Sequence, residues 1–159
     1  MYLFDADTLI LANRHDFPLE TNPGTFWNFV EEMGRRGQAR IPESVYDELE
    51  RGGDNLLAWV NERKDVLLIR KVEALPRISQ VLDAYGDLSD LALETISRRA
   101  DPFLVAHALA ANAIIVTNET LSNATNPINK QIPDICHHVG ASYIRYPRFL
   151  WDMHNVLPL

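Results

Sequence analysis

The sequence contains few of the residues that mark secreted, membrane-bound or zinc-bound proteins. Its 159 residues include one cysteine, Cys136, which excludes an internal disulfide and a cysteine-rich zinc site. No apolar run approaches the roughly 20 residues that a membrane span needs, so we expect no membrane association. The N-terminal stretch has no basic start and is interrupted by Asp5 and Asp7, so we expect no signal peptide. These absences predict a cytoplasmic protein.

Basic residues are also scarce, with 15 Lys and Arg against 22 Asp and Glu and a formal net charge of −7. This balance is unlike that of a typical basic nucleic-acid binder. It does not exclude nucleic acid, because a site built from carboxylates adds negative charge that bound cations offset. Residues that contact phosphate must then be local. The candidates, each of which is otherwise a solvated surface charge, are Arg35, Arg36, Arg40, Arg98, Arg99, Lys130, Arg145 and Arg148.

Length and composition fit one soluble globular domain, and we expect a single domain over residues 1–159. Apolar runs alternate with helical patterns along the chain. This alternation predicts an α/β fold, with a parallel sheet covered by helices on both faces. The predicted strands are residues 2–4, 39–41, 66–69, 113–117 and 142–144.

The opening stretch, YLFDADTLI, places an acid directly after an apolar strand. In open α/β sheets, ligands bind in the crevice beyond the carboxyl ends of the strands, where Asp5 would lie. A carboxylate after a buried strand is costly unless something pairs with it, so we assign Asp5 a functional role. Asp7 has two open interpretations: it caps the helix that follows, or it is a further acid of the site.

Two later segments carry acids in comparable positions. Glu119 follows the strand at residues 113–117 after Asn118, which repeats the opening pattern. Asp101 precedes Pro102, and this pair predicts a helix start with Asp101 as its N-cap. Capping alone would explain Asp101, so a second role has to come from its position in the fold.

A helix predicted from ESVYDELERGG, with Ser44 as its cap, carries Asp47, Glu48 and Glu50. Three acids on one helix usually form a solvated face, and only geometry turns one of them inward. Right-handed crossovers can bring this helix to the same end of the sheet as the other acids. Three or four carboxylates together need a hard cation, and oxygen-only ligation selects Mg²⁺ or Mn²⁺. Such a site hydrolyses phosphodiesters.

The ordered set of motifs resembles the PIN domain, the metal-dependent nuclease fold of many prokaryotic toxin–antitoxin pairs. The matching segments run from Tyr2 to Thr120, and they are YLFDADTLI, IPESVYDELERGG, DPFLVAHALA and IIVTNET. The later segment IPDICHHVGASYI is similar to a PIN-like branch whose biology is poorly defined. The resemblance implies a three-layer α/β/α sandwich around a parallel sheet of five strands. It also implies RNA cleavage, a homodimer and inhibition by an antitoxin protein.

Carried over motif by motif, the resemblance implies four catalytic and metal-binding acids, which are Asp5, Glu48, Asp101 and Glu119. The family more often has Asp where this chain has Glu119, which changes the reach of that carboxylate. Asp7 stands where Asn is common, so the resemblance makes it either an additional ligand or a residue that supports the ligands. Asp47 is the rival of Glu48, which fits the family pattern better. The residues expected to orient these acids are Thr8, Thr117 and Asn118.

Two other functions fit parts of the sequence. The stretch FDADTLI is also similar to the haloacid dehalogenase phosphatases, with Asp5 as nucleophile and residues 86–90 as late metal-binding acids. No strand is predicted before Gly86, and that interpretation gives Asp101 and Glu119 no role. The third possibility is a PIN-like fold that serves only as a binding module.

Overall fold

The computed structural model describes residues 1–155, so residues 156–159 of the predicted domain lie outside the described part. Within it, five strands form one parallel sheet, and they are β1 (Tyr2–Phe4), β2 (Ala39–Pro42), β3 (Leu68–Ile69), β4 (Ile114–Thr117) and β5 (Ser142–Arg145). The strand order is β3-β2-β1-β4-β5, and every neighbouring pair is parallel. The α/β class and the parallel sheet predicted from the sequence are confirmed.

Helices connect consecutive strands, as parallel pairing requires. In the described residues they are α1 (Ala6–Leu11), α2 (Thr25–Arg35), α3 (Glu43–Glu50), α4 (Asn55–Asn61), α5 (Lys64–Leu67), α6 (Leu75–Asp83), α7 (Asp90–Ser97), α8 (Asp101–Ala111), α9 (Ile132–Val139) and α10 (Tyr146–Asn155). A π-helical turn, Ala12–Asp16, continues α1. Among these described helices, none has the length and apolar character needed to cross a membrane.

The central strand β1 separates an aromatic layer from the layer that carries the acids. Tyr2 and Phe4 point to the same face, because side chains alternate along a strand. There the ring of Phe149 from α10 packs edge-on against both, with ring centroids 5.2 and 5.1 Å apart, and Phe26 from α2 packs against Phe4. Leu3 and the next odd residue, Asp5, point to the opposite face.

The sheet has its topological switch point between β1 and β4. The connection from β1 leads to β2 on one side, whereas the connection from β3 returns to β4 on the other side. The crevice beyond the carboxyl ends of such a strand pair is the usual ligand position in open α/β sheets. The N–H of Asp5 donates to the carbonyl of Val116 across this junction at 3.2 Å. The residue after β1 is thereby held against β4.

Three local predictions are wrong. The third strand is confined to Leu68–Ile69, because residues 64–67 form the short helix α5. Ser44 does not cap α3, which begins at Glu43 directly after Pro42. Asp101 does not cap α8 but is its first residue, and Ala100 holds the N-cap position. Asp54 caps α4, because its side chain accepts hydrogen bonds from the N–H groups of two residues in the first turn.

Candidate active site

Asp5 is a buried carboxylate at the switch point, with 4% of its surface exposed. It is the last extended residue before α1, so it leaves β1 on the face opposite the aromatic layer. The hydroxyl of Thr117, at the end of β4, donates to Oδ2 of Asp5 at 3.1 Å. The same hydroxyl accepts from the N–H of Glu119 at 3.1 Å. Thr117 therefore links the acids that follow the two central strands.

The other two predicted orienting residues have different positions. The hydroxyl of Thr8 donates to the carbonyl of Val116 at 3.4 Å, so it ties α1 to β4 and not to a carboxylate. Asn118 is exposed beside the site. Of the three residues expected to orient the acids, Thr117 is the one that contacts Asp5.

Glu48 is the acid of α3 that turns inward. Its Oε1 accepts a hydrogen bond from the N–H of Ala100 at 2.9 Å, which anchors it at the start of α8. Its negative charge also raises the pKa of Asp101, so the two carboxylates are close. Asp47 is exposed to solvent. The geometry therefore favours Glu48 over Asp47 as the helix acid of the site.

Glu119 joins the cluster from β4. Its Oε2 accepts from the N–H of Ile132 at the start of α9 at 2.6 Å. Its charge is among those that raise the pKa values of both Asp5 and Asp101. The longer side chain of Glu, at a position where the family more often has Asp, thus reaches a backbone donor on α9.

Asp7 belongs to the same cluster although its side chain is exposed. It is the second residue of α1, whose N-cap position is held by Asp5, so the capping interpretation of Asp7 is wrong. Its charge raises the pKa values of Asp5, Asp101 and Glu119. We call the group the acid cluster, and its members are Asp5, Asp7, Glu48, Asp101 and Glu119.

Burial and like charge favour the protonated forms of these acids. Burial, followed by the charges of Asp101, Glu119 and Asp7, raises the pKa of Asp5 well above its usual range, although the bond from Thr117 acts the other way. Burial and the charges of Glu119 and Glu48 raise the pKa of Asp101 to about 7. Burial is also the largest reason that the pKa of Glu119 rises, with the Ile132 hydrogen bond opposing it.

Arg99 is the cation that offsets part of this repulsion. Its charge lowers the pKa values of Asp101 and Glu119, and its guanidinium donates to the carbonyl of Ile128 at 2.8 Å. From the sequence alone, Arg99 was predicted only as a candidate phosphate contact. Its position two residues before Asp101 was the available signal that it lies near the acids. The direction of its side chain, however, depends on the packing of residues 126–131.

Two other candidate phosphate contacts are used inside the fold. Arg40 donates to the backbone carbonyls of Gly34 and Val66, at 2.7 and 2.8 Å. Lys130 donates to the carbonyls of Ala84 and Tyr85, both at 3.0 Å. These cations connect neighbouring segments of the chain.

The acid cluster supplies only oxygen donors, which fits Mg²⁺ or Mn²⁺ and not zinc. One oxygen each of Asp5, Glu48 and Glu119 is engaged by a hydrogen bond, so the other oxygen remains to bind a cation. In residues 1–155, no three His, Cys, Asp or Glu side chains are arranged to hold a metal ion. The side chains of these acids must therefore rotate before several of them can bind the same metal ion.

The second acid group required by the phosphatase interpretation lies elsewhere. The segment before Gly86 is helix α6 and not a buried strand. Asp87 lines a different cleft, between α6 and the start of α7, together with Ile78 and Leu82. Asp90 is the first residue of α7. The charges that act on Asp5 come from the acid cluster. The geometry gives the predicted phosphatase acids no part in the site.

The class of this protein follows from its sheet and is supported by a solved structure. "Crystal structure of VapBC2 from Rickettsia felis bound to a DNA fragment from their promoter" contains a chain of similar fold, with a TM-score of 0.54. The alignment covers 91% of this chain and 97% of that one at 15% sequence identity, which is a likeness of fold. The fold is PIN-like, as the motifs predicted.

The chain belongs to the family described as "Domain of unknown function (DUF4411)", whose model matches residues 2–155. The match includes all five members of the acid cluster. A comparison with curated proteins finds no match. The family description assigns no activity, so the function has to be inferred from the site.

We expect the metal-free protein to lose stability as the pH rises from about 4 to 8. Folding raises the pKa of Asp101 from 3.8 to about 7, so in this window the folded chain holds a proton that the unfolded chain releases. That proton favours folding at acidic pH, and the gain is lost as the pH passes through 7. In Asp101→Asn, the loss of unfolding free energy between pH 5 and pH 8 should be smaller than in wild type by on the order of 2 kcal/mol.

Urea unfolding in EDTA at the two pH values measures this difference. Equal pH dependence in wild type and Asp101→Asn would show that Asp101 does not lie in a crowded carboxylate site.

Proposed function

We propose that this protein is a Mg²⁺- or Mn²⁺-dependent endoribonuclease that acts as the toxin of a toxin–antitoxin pair. The observation that carries the proposal is the acid cluster itself, in which Asp5 is buried with other carboxylates around it. A fold gains nothing from collecting such charges, because burial and repulsion both oppose their ionised forms. A site for a divalent cation explains why they are together.

In this proposal Asp5, Glu48, Asp101 and Glu119 hold the cation, and Asp7 is a further oxygen ligand. The cation would supply an activated water and would offset the charge that develops on the phosphate oxygens. Without it, the pKa of Asp101 rises to about 7, and burial with like charges raises the pKa of Asp5 well above its usual range. Metal binding should therefore release protons, because ligating carboxylates must be ionised.

The remaining residues position the acids. Thr117 fixes one oxygen of Asp5, the N–H of Ala100 fixes one oxygen of Glu48, and the N–H of Ile132 fixes one oxygen of Glu119. These donors belong to β4 and to the starts of α8 and α9, which the core holds in place. Catalytic geometry of this kind depends on rigid supporting elements.

An antitoxin as partner is supported by the structural neighbour, VapBC2, whose structure was solved with a DNA fragment from its promoter. RNA as substrate is the part of the proposal that comes from the motif resemblance. The fold is shared, and the acid cluster supplies the chemistry that a nuclease of this fold requires. A homodimer and a cytoplasmic location remain predictions from the sequence.

Cleavage of a panel of single-stranded and structured RNAs tests the activity directly. We expect wild type to cleave with Mn²⁺ or Mg²⁺ and to stop in EDTA. Asp5→Asn, Glu48→Gln and Asp101→Asn should each lower the rate by at least about 100-fold, because the acids act as one unit. Asp47→Asn tests the rival acid of α3, and it should not lower the rate, because Asp47 is exposed and its charge is not among those that raise the pKa values of Asp5 and Asp101.

Cleavage that persists in EDTA, or full activity in Asp5→Asn, would contradict the proposed mechanism. An Asp47→Asn variant as inactive as Glu48→Gln would show that the wrong acid of α3 has been assigned to the site.

The toxin role predicts that expression of the protein slows growth of a bacterial host. Asp5→Asn, produced at the same level, should leave growth normal because the acid cluster is broken. Co-expression of the small protein encoded beside the gene should restore growth to cells that carry wild type. The measurement is growth rate against expression level, and normal growth with abundant, active wild-type nuclease would refute the toxin role.

A further inference from the structure

A cleft of about 550 Å³ lies beside the acid cluster, and four of the eight residues that line it are basic. We call it the basic cleft, and its charged residues are Asp47, Arg51, Lys71, Arg98 and Arg99, with Ser44 and Ala100 among the uncharged ones. The four cations stand against one acid, in a chain whose net charge is −7. A local excess of positive charge in an acidic protein attracts anions.

Residues distant in sequence form the cleft. Arg51 follows α3, Lys71 follows β3, and Arg98 and Arg99 connect α7 to α8. The ammonium group of Lys71 lies 4.1 Å from the ring centroid of Phe103. Arg98 forms an exposed pair with Glu94 on the preceding turn, an arrangement that contributes little to stability and that solvent screens. These cations remain accessible to a ligand.

Ser44 provides an independent indication of a ligand. It is 4% exposed and lines the basic cleft, and its hydroxyl has no hydrogen-bond partner among the described residues. An unpaired buried hydroxyl costs about 1–3 kcal/mol, so such groups are normally satisfied. A phosphate oxygen in the cleft would accept a hydrogen bond from this hydroxyl, and the surrounding cations would offset the negative charge of the phosphate.

The basic cleft and the acid cluster share two structural elements. Helix α3 carries both Glu48 and the cleft residues Ser44 and Asp47. Ala100 lines the cleft, its N–H is bound by Glu48, and the next residue is Asp101. The basic cleft and the acid cluster therefore adjoin each other along α3 and at the start of α8.

We propose that the basic cleft is a subsite for a backbone phosphate of the RNA strand, next to the phosphate that is cleaved. The inference rests on the proposed function, because it takes RNA as the substrate. The contacts are charged and reach phosphate, so they position the strand without reading its sequence. Loss of one contact should weaken binding of different RNA sequences by the same factor.

Fluorescence anisotropy with two labelled single-stranded RNAs of about 12 nucleotides and different sequence tests the subsite. Ca²⁺ replaces Mg²⁺ in this measurement so that binding is observed without cleavage. It also prefers oxygen ligands, but at longer distances than Mg²⁺ does. Arg51→Gln and Lys71→Gln should each weaken binding of both RNAs by roughly threefold to tenfold. Each should also lower the slope of log affinity against log salt by about 0.7, the value for one phosphate contact on a single strand.

Arg36→Gln is the matched control. It removes an exposed arginine just before β2, at the amino ends of the strands and opposite the site. Its affinity and salt slope should equal those of wild type. Wild-type binding by both cleft variants, or an equal loss in Arg36→Gln, would overturn the subsite. Thermal melting of each variant confirms that it is folded.

Steady-state cleavage with Mn²⁺ separates failure of the subsite from failure of the proposed function. Cleft variants should raise KM with little change in kcat, because the subsite holds substrate and transition state alike. If wild type cleaves RNA but the cleft variants bind and cleave as it does, the subsite is wrong and the nuclease stands. If wild type cleaves nothing while the cleft variants lose binding as expected, the nuclease is wrong and the basic cleft stands as a binding site for an RNA phosphate.

Discussion

Repulsion among carboxylates at the end of β1 and β4 is the constraint on which the site depends. Asp5 is buried, and the charges of Asp101, Glu119 and Asp7 all oppose its ionisation. The hydrophobic core offsets the cost of this arrangement, because edge-to-face packing of Phe4 and Phe149 holds β1 from the opposite face of the sheet. A rigid sheet allows charged groups to be held closer together than they would lie in a free chain.

Hydrogen bonds to one oxygen of each acid keep the cluster from spreading apart. The donors come from the end of β4, from the residue before α8 and from the first residue of α9. Arg99 adds one positive charge close to the acids, and the basic cleft places further cations beside them. Opposite charges therefore occupy adjoining parts of one surface, which suits a substrate with several phosphates and a metal at one of them.

Much of this site follows from the sequence, because an apolar run followed by an acid defines both a strand and its carboxyl end. That pattern located Asp5 and Glu119, and the parallel alternation placed them at one edge. The cap assigned to Asp101 was wrong, because α8 already begins at Asp101 and Ala100 holds the N-cap position. The contact of Glu48 with the N–H of Ala100, 52 positions away, also depends on tertiary packing. The basic cleft could not be predicted either, since tertiary packing joins Arg51, Lys71 and Arg98 from separate elements.

Thermal melting of wild type and Asp5→Asn, with and without Mn²⁺, tests most directly whether the acids form one cation site. Without metal, Asp5→Asn should melt above wild type, because folding of wild type leaves Asp5 either with a repelled charge or with a proton taken up from solvent, and Asn needs neither. The bond from Thr117 can remain. Mn²⁺ at a hundred times its dissociation constant should stabilise wild type by about 2.7 kcal/mol, raising its midpoint by roughly 5–10 °C. The variant should not respond. An equal response from both proteins would contradict the account.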